Sequence, residues 1–154
     1  MIEDWADLLV ALAATDARFL IVGAHAMAVH GVPRGTQDMD IWVDPTPANA
    51  DRVWRALAAF GAPLADLRIT SDDLSRAGTV IQLGLPPNRI DLLTSLSGLP
   101  GFDAAWTARV ERTFAGHPAP FLGREDLVRN KRASARRKDL ADLEALGELP
   151  PSPG

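Results

Sequence analysis

Cysteine is absent from this chain of 154 residues, and histidine occurs only three times. The lack of cysteine excludes disulfide bonds, thiolate metal ligands and catalysis by a thiol nucleophile. His25, His30 and His117 include no His-x-x-His spacing, so we do not expect a zinc site. No apolar run approaches the roughly 20 residues that span a membrane, and the acidic N-terminus does not resemble a secretory signal. We therefore expect a cytoplasmic protein with no membrane partner.

Lysine is almost absent as well, and its two copies lie in one basic segment, residues 124–138. This segment carries seven basic and two acidic residues, a net charge of +5, whereas the whole chain carries −4. The remaining residues therefore sum to −9. A basic segment on an acidic body favours a local anion-binding site over general affinity for nucleic acid.

The composition and the apolar pattern predict one mixed α+β domain, in which a small mixed sheet is flanked by helices. Hydrophobic residues make up 47% of the chain, enough for a domain of this length to bury a core. Strands are expected at 19–22, 39–43, 79–84, 89–94 and 109–114, and helices at 3–14, 24–30, 47–60, 102–108, 122–134 and 138–146. We expect a single domain over residues 1–147 and a flexible tail over 148–154, which has no packing content.

Several local signals predict turns and helix ends. Thr46 followed by Pro47 is typical of a helix start, and Gly61 is typical of the end of that helix. The segment 85–88 between two strands predicts a hairpin. Residues 62–78 are irregular, apart from a short helix that Ser71 could cap.

Asp38 and Asp40 form an Asp-x-Asp pair at the start of a predicted strand. Successive side chains of a strand alternate, so both carboxylates point to one face. Two carboxylates held so close repel each other, and a divalent cation between them lets both stay charged. The alternative is a solvated pair on an edge strand, which discourages aggregation. Trp42 shares this face, where it could stack on a base, although packing in the core is the favoured expectation.

Gly23 ends the apolar strand at 19–22 and lies fifteen residues before Asp38. A glycine turn before a helix offers backbone N–H groups to a phosphate, and the carboxylates offer the metal that a nucleotide phosphate needs. Together they predict a metal-dependent nucleotide site. The alternative is a simple strand-to-helix turn that needs the conformational freedom of glycine.

Three further residues near this turn are candidate phosphate contacts. His25 lies in the first turn of the helix and could donate to a phosphate, or it could be polar surface. Arg34 could clamp a triphosphate through two parallel hydrogen bonds, or it could be a solvated turn residue. Thr36 could contact phosphate or merely support the turn.

The sequence Gly23-Ala24, thirteen residues, then Asp38-Met39-Asp40-Ile41 resembles the signature of the DNA-polymerase-β-type nucleotidyltransferase superfamily. Residues 89–94 resemble the third acidic strand of that superfamily. Residues 130–142 resemble the closing helices of its small bacterial members, which include proteins related to abortive-infection and type IV toxin–antitoxin systems. The resemblance implies a polymerase-β-like core with C-terminal helices. At Ala24 this sequence departs from the glycine or serine usual in the signature, and so lacks a hydroxyl that could bind phosphate.

By this resemblance Asp91 is the third metal ligand and the general base. An unpaired charge in its apolar strand is costly, and a neighbouring metal ion removes that cost. The alternative is an ion pair with Arg89, which points to the same face two residues away.

The resemblance also implies that Lys131 contacts the phosphates of a bound nucleotide. Arg136 and Lys138 could likewise reach a triphosphate or the backbone of an RNA acceptor. The alternative is a solvated face whose charges suit the end of a helix. Asp139 and Asp142 could hold Arg136 or Lys138 by pairing within a helix.

The leading hypothesis is an enzyme that uses Mg²⁺ or Mn²⁺ to transfer a nucleoside monophosphate from a nucleoside triphosphate (NTP), releasing pyrophosphate. The acceptor could be a tRNA, a protein hydroxyl or a small molecule, and a toxin of this kind would have an antitoxin partner. A second hypothesis, favoured by Ala24, is a nucleotide-binding or protein-interaction module without turnover. A sugar-nucleotide glycosyltransferase ranks last, because such domains need more chain and leave the glycine turn unexplained.

Overall fold

One mixed β-sheet organises the fold, in a computed structural model that describes residues 2–35, 38–84 and 89–148, with only the backbone of residues 2 and 3. The strands are β1 (Phe19–Val22), β2 (Met39–Val43), β3 (Val80–Leu83), β4 (Ile90–Leu93), β5 (Val110–Phe114) and β6 (His117–Phe121). The helices are α1 (Ile2–Ala14), α2 (Gly23–Val29), α3 (Pro47–Phe60), α4 (Leu64–Leu67), α5 (Phe102–Thr107), α6 (Arg124–Ser134) and α7 (Arg137–Ala145). Thr36 and the expected turn at 85–88 lie outside the described residues.

Among the described residues, the six strands form one sheet in the order β3-β4-β2-β1-β6-β5. The central strand β2 runs antiparallel to β1 and parallel to β4. In this register Asp40 lies opposite Asp91 on one side and opposite Val22, the residue before Gly23, on the other. The topology therefore brings together three segments that are far apart in sequence. The predicted α+β class, with a mixed sheet flanked by helices, is confirmed.

Alternation of side chains along the strands creates two apolar layers, one on each face of the sheet. Ile41 and Leu92 belong to the layer that α1 and α3 cover. Trp42 belongs to the other layer, where its ring packs edge-on against Phe102 with 5.1 Å between ring centroids. The expectation that Trp42 packs in the core is confirmed, because only 2% of its surface is exposed. Asp40 projects to the same face as Trp42.

The predicted ends of α3 are also confirmed. The Thr46 hydroxyl accepts a hydrogen bond from the backbone N–H of Asn49 at 3.4 Å, and Pro47 occupies the first position of the helix. Gly61 ends the helix in the left-handed conformation with φ of 91°. The helix begins and ends here because one residue satisfies a free N–H group and another adopts a φ that side chains disfavour.

Three features of the structure differ from the sequence predictions. Strand β6 was not predicted because Pro118 and Pro120 argue against a strand inside a sheet. The ring nitrogens of both prolines point to the edge of β6 that faces β1. Strand β1 pairs with β6 only at Phe121, the last residue of β6. No ladder hydrogen bond is therefore lost. Residues 64–67 form the short helix α4, and the 3-10 turn Ser71–Ser75 is capped by Thr70 rather than by Ser71.

Glu148 marks the end of the described chain, and the sequence assigned it to the flexible tail. Its carboxylate forms ion pairs with Arg124 and Arg132 of α6. The rest of the expected tail, residues 149–154, lies outside the described residues, so the division into domain and tail stays a prediction. In the part of the chain that is described, no helix combines the length and apolarity needed to cross a membrane.

Candidate active site

A cavity of about 940 Å³ opens between the ends of β1, β2 and β4 on one side and the helices α6 and α7 on the other. Seven of the nine predicted site residues line it: Gly23, Ala24, Arg34, Asp38, Asp40, Asp91 and Lys131. His25 does not line it, and Thr36 lies outside the described residues. The structure thus brings most of the candidates together, while their chemical roles stay predictions.

The three aspartates form the acidic side of the cavity. Asp40 and Asp91 are opposite each other on parallel strands, and Asp38 precedes β2 by one residue. Burial, and next the negative charge of Asp91, raise the pKa of Asp40. Asp91 is 9% exposed, and its buried Oδ1 accepts no aligned hydrogen bond. A cation bound by these carboxylates would therefore reduce their mutual repulsion and give the unsatisfied oxygen a partner.

Arg89 places a positive charge next to Asp91 and Asp38. Its Nε lies 3.0 Å from Asp91 Oδ1 without forming an aligned hydrogen bond, and its Nη2 donates to Asp91 Oδ2 at 3.2 Å. The same Nη2 lies 3.7 Å from Asp38 Oδ2. The ion pair that was the alternative for Asp91 is thus formed.

The donor set on the acidic side suits a divalent cation. Asp38, Asp40 and Asp91 offer carboxylate oxygens only, which Mg²⁺ and Mn²⁺ prefer, and Asp91 Oδ1 accepts no aligned hydrogen bond although Arg89 Nε lies beside it. The described residues include no ready-formed group of three or more acidic or histidine side chains in a metal-binding arrangement. These three aspartates could hold a cation once the Arg89 guanidinium yields its place beside them.

Gly23 has two reasons to be glycine. Its φ of +67° lies in the left-handed region, which side chains disfavour. A Cβ at this position would also lie 2.5 Å from Asp40 Oδ2, closer than any real contact. The lack of a side chain at Gly23 therefore lets the Asp40 carboxylate lie directly against the backbone of this turn.

Replacing Gly23 by alanine is expected to destabilise the protein by about 2 kcal/mol, because the left-handed conformation costs an L-residue about 1–2 kcal/mol. It should also displace the Asp40 carboxylate and abolish metal-dependent nucleotide binding. Gly116→Ala is the matched control, since Gly116 has φ of +82° and no atom within 4 Å of an added Cβ. Denaturant unfolding and nucleotide titration check both variants. Equal binding by the two variants would show that the close approach of Asp40 to Gly23 does not matter for the site.

The basic residues on the other side of the cavity, which we call its basic side, are largely neutralised by two carboxylates of α7. Lys131, on α6, is 5% exposed, and its Nζ lies 2.9 Å from Asp142 Oδ2 and 3.4 Å from Asp139 Oδ1 on α7. Arg34 Nη2 donates to Asp142 Oδ1 at 2.7 Å, and Arg136 Nε donates to Asp139 Oδ2 at 2.8 Å. The expected pairing of Asp139 with Arg136 is confirmed. Lys131 and Arg34 reach the cavity wall with their charges already shared by carboxylates.

Lys138 differs from these cations. It lines the cavity, its charge lowers the pKa of Asp40 against the larger effect of burial, and among the described residues no hydrogen bond or ion pair engages it. An exposed ammonium near a half-buried carboxylate attracts anions without first breaking a contact. The structure therefore singles out Lys138, which the sequence did not separate from the other basic residues of this segment.

His25 occupies a different environment from the one expected. Its ring lies between those of Trp5 and Phe114, at centroid distances of 4.9 and 5.2 Å, both edge-on. Burial lowers the pKa of His25, and a hydrogen bond to the backbone of Asp38 partly offsets this effect. The position gives no support to the predicted phosphate contact, because an apolar aromatic neighbourhood favours the uncharged ring. The sequence could not show this, since the two rings come from α1 and β5.

Comparison with known proteins shows that solved structures share the fold of this chain. No family profile matches the sequence, and no curated protein is similar to it. A solved structure with the same fold is a "putative nucleotidyltransferase" from Thermotoga maritima. The two chains share 16% sequence identity with a TM-score of 0.58, over 94% of this chain and 88% of the other. The predicted nucleotidyltransferase-like architecture is thereby confirmed at the level of the fold.

Proposed function

We propose that this chain is a nucleotidyltransferase that moves a nucleoside monophosphate from an NTP to an acceptor hydroxyl. The observation that carries the proposal is the convergence of Asp38, Asp40 and Asp91 beside the Gly23 turn in one cavity. The fold shared with the Thermotoga maritima protein supports the same class of activity. In the proposed reaction, the acceptor oxygen bonds to the α-phosphorus, the bond from that phosphorus to the bridging oxygen breaks, and pyrophosphate leaves.

Each side of the cavity would contribute to this reaction. Asp38, Asp40 and Asp91 would hold Mg²⁺ or Mn²⁺, which when bound neutralises charge that develops on the transferred group. Asp91 would also take the proton of the acceptor hydroxyl as general base. The turn at Gly23 and Ala24, which lines the cavity, would offer backbone N–H groups to a phosphate, and Ala24 would add no hydroxyl. Most of the catalytic effect would come from positioning and charge.

The acceptor and the biological setting follow from the resemblance alone. The acceptor would be a tRNA, a protein hydroxyl or a small molecule in the cytoplasm. As a component of a toxin–antitoxin system, the protein would also bind an antitoxin. The second candidate, a nucleotide-binding module without turnover, is favoured by Ala24 and by the Arg89 ion pair with two of the three carboxylates.

Lys138→Met is expected to weaken NTP binding by at least about tenfold, because a hydrogen bond to a charged group contributes about 1.5–3 kcal/mol. Arg137→Met removes another exposed charge from the preceding position, which does not line the cavity, and should change binding less than twofold. Titration calorimetry at 0.15 M salt, where long-range attraction is screened, measures both. An equal loss in the two variants would indicate general attraction and not a contact.

Transfer itself is tested with α-labelled NTPs, Mg²⁺, and separate pools of RNA, protein and small-molecule acceptors. We expect the wild type to release pyrophosphate at the rate at which label appears in one of these pools. The Asp91→Asn variant should neither release pyrophosphate nor label any pool. If the wild-type protein binds NTP but no pool becomes labelled and no pyrophosphate forms, the module without turnover is the better description.

A further inference from the structure

The Arg89 guanidinium stands where a cation shared by two of the acidic residues would stand. It contacts Asp91 through two nitrogens, at 3.0 and 3.2 Å, and approaches Asp38 at 3.7 Å. Of the three side chains, that of Asp91 is 12% exposed, that of Arg89 31% and that of Asp38 42%. The Arg89 side chain is therefore more exposed than the Asp91 carboxylate, although its Nε is buried beside that carboxylate.

The backbone of Arg89 is hydrogen-bonded to the start of β2, whereas its side chain is held by ion pairs and one aligned hydrogen bond. Its carbonyl oxygen accepts a hydrogen bond from the N–H of Met39 at 2.9 Å, which ties it to the start of β2. Arg89 Nε has no aligned hydrogen bond despite its closeness to Asp91 Oδ1, and the contact to Asp38 is longer than a hydrogen bond. The guanidinium can therefore leave the carboxylates by rotation of its side chain, with only one aligned hydrogen bond to break in the described part of the chain.

We propose that Arg89 is an exchangeable counter-cation, which neutralises Asp38 and Asp91 until a divalent cation takes them and then binds a phosphate of the nucleotide. The inference rests on the proposed function. Two cations held by the same carboxylates repel each other, so occupation by one expels the other. The expelled guanidinium stays in the same cavity, where a phosphate can accept two parallel hydrogen bonds from it.

This exchange gives Arg89 opposite effects on the two ligands. In the absence of nucleotide it competes with the metal, so its removal should tighten metal binding. With the metal in place it helps to bind phosphate, so its removal should weaken binding of a triphosphate. A residue that merely supports the structure of the site would change both affinities in the same direction.

The test uses Arg89→Gln with Mn²⁺ alone and then with inorganic triphosphate at saturating Mn²⁺. Free Mn²⁺ is followed by electron paramagnetic resonance, and triphosphate binding by calorimetry. We expect Mn²⁺ to bind about tenfold more tightly and triphosphate about tenfold more weakly than in the wild type, a change within the usual range of coupling between sites. Arg112→Gln, an exposed arginine on β5 that does not line the cavity, should change neither.

A second variant covers the case in which Arg89→Gln does not fold. Arg89→Lys keeps the charge but loses the planar fork, so Mn²⁺ affinity should stay near the wild-type value while triphosphate binding weakens. Unchanged affinities, or a loss of both, would overturn the exchange. If Mn²⁺ binds equally to wild type and Arg89→Gln but not to Asp38→Asn/Asp40→Asn, the metal site stands and only the exchange fails. If Mn²⁺ binds to none of them, both proposals fall.

Discussion

Asp91→Asn is expected to lower the rate of nucleotide transfer by at least about 10³-fold while leaving the protein folded. A metal ligand that is also the general base contributes several kcal/mol to the transition state, and each ~1.4 kcal/mol is a factor of ten in rate. The substitution removes one ion pair with the partly exposed Arg89, but it also removes the repulsion between Asp91 and Asp40. We therefore expect a melting temperature within a few degrees of the wild type. Pyrophosphate release under saturating NTP measures the rate.

Asp7→Asn is the control for this loss. Asp7 is an exposed residue of α1 that does not line the cavity, so its amide should leave both rate and stability unchanged. Transfer by Asp91→Asn at more than a tenth of the wild-type rate would show that Asp91 is not the base.

Asp139→Asn is expected to destabilise the protein by about 3 kcal/mol, the lower end of the cost of breaking a buried ion pair. Asp139 is fully buried and joins α6 to α7: its carboxylate accepts from Lys131 Nζ and from both the backbone N–H and the guanidinium of Arg136. Asparagine keeps the shape but not the charge, which leaves the buried Lys131 with Asp142 alone. Urea unfolding at pH 7 measures the change.

Asp139 also makes the free energy of unfolding depend on pH. Burial alone would raise the pKa of Asp139, but the hydrogen bonds from Arg136 and the charge of Lys131 outweigh it and lower the pKa. The stabilisation by Asp139 is therefore present at pH values above the pKa of an aspartate in the unfolded chain, about 3.9. It is lost as the pH falls through the lower pKa of Asp139 in the folded protein. The difference in stability between wild type and Asp139→Asn should narrow as the pH drops below about 4.

Asp51→Asn separates this buried network from surface pairing. Asp51 pairs with Arg55 one helical turn away, and both side chains are more than half exposed. Exposed pairs of this kind contribute about 0.3–0.5 kcal/mol, so the variant should unfold almost like the wild type. Similar losses in the two variants would mean that Asp139 acts only as a surface charge.

The parts of the fold that the sequence predicts well are those with a strong local pattern. Strands β1 and β2 were predicted to the residue, because short apolar runs end at Gly23 and before Pro45, where the chain must turn. Strand β6 was not predicted, because a strand accepts prolines at these positions only where its neighbour, here β1, does not run alongside it. That condition depends on how far β1 extends, which no local pattern encodes.

Only part of the acidic side was similarly local, because Asp38 and Asp40 lie close together at the start of β2. Gly23 and Asp91 meet them only through the pairing of β2 with β1 and with β4. The burial of Lys131 depends on how α7 packs on α6, which places its ammonium between Asp139 and Asp142. Its contact with phosphate stays a prediction. The same packing leaves Lys138 exposed to the cavity, although both lysines lie in one basic segment.

The central claim is that the three aspartates and the Gly23 turn form a metal-dependent nucleotide site, and calorimetry tests it without knowledge of the acceptor. Each of the four NTPs is titrated with and without Mg²⁺ into the wild type and into Asp38→Asn/Asp40→Asn. We expect one or more NTPs to bind the wild type only with Mg²⁺, and none to bind the double variant. Binding that is equal in the two folded proteins, or no binding to the wild type, would contradict the claim.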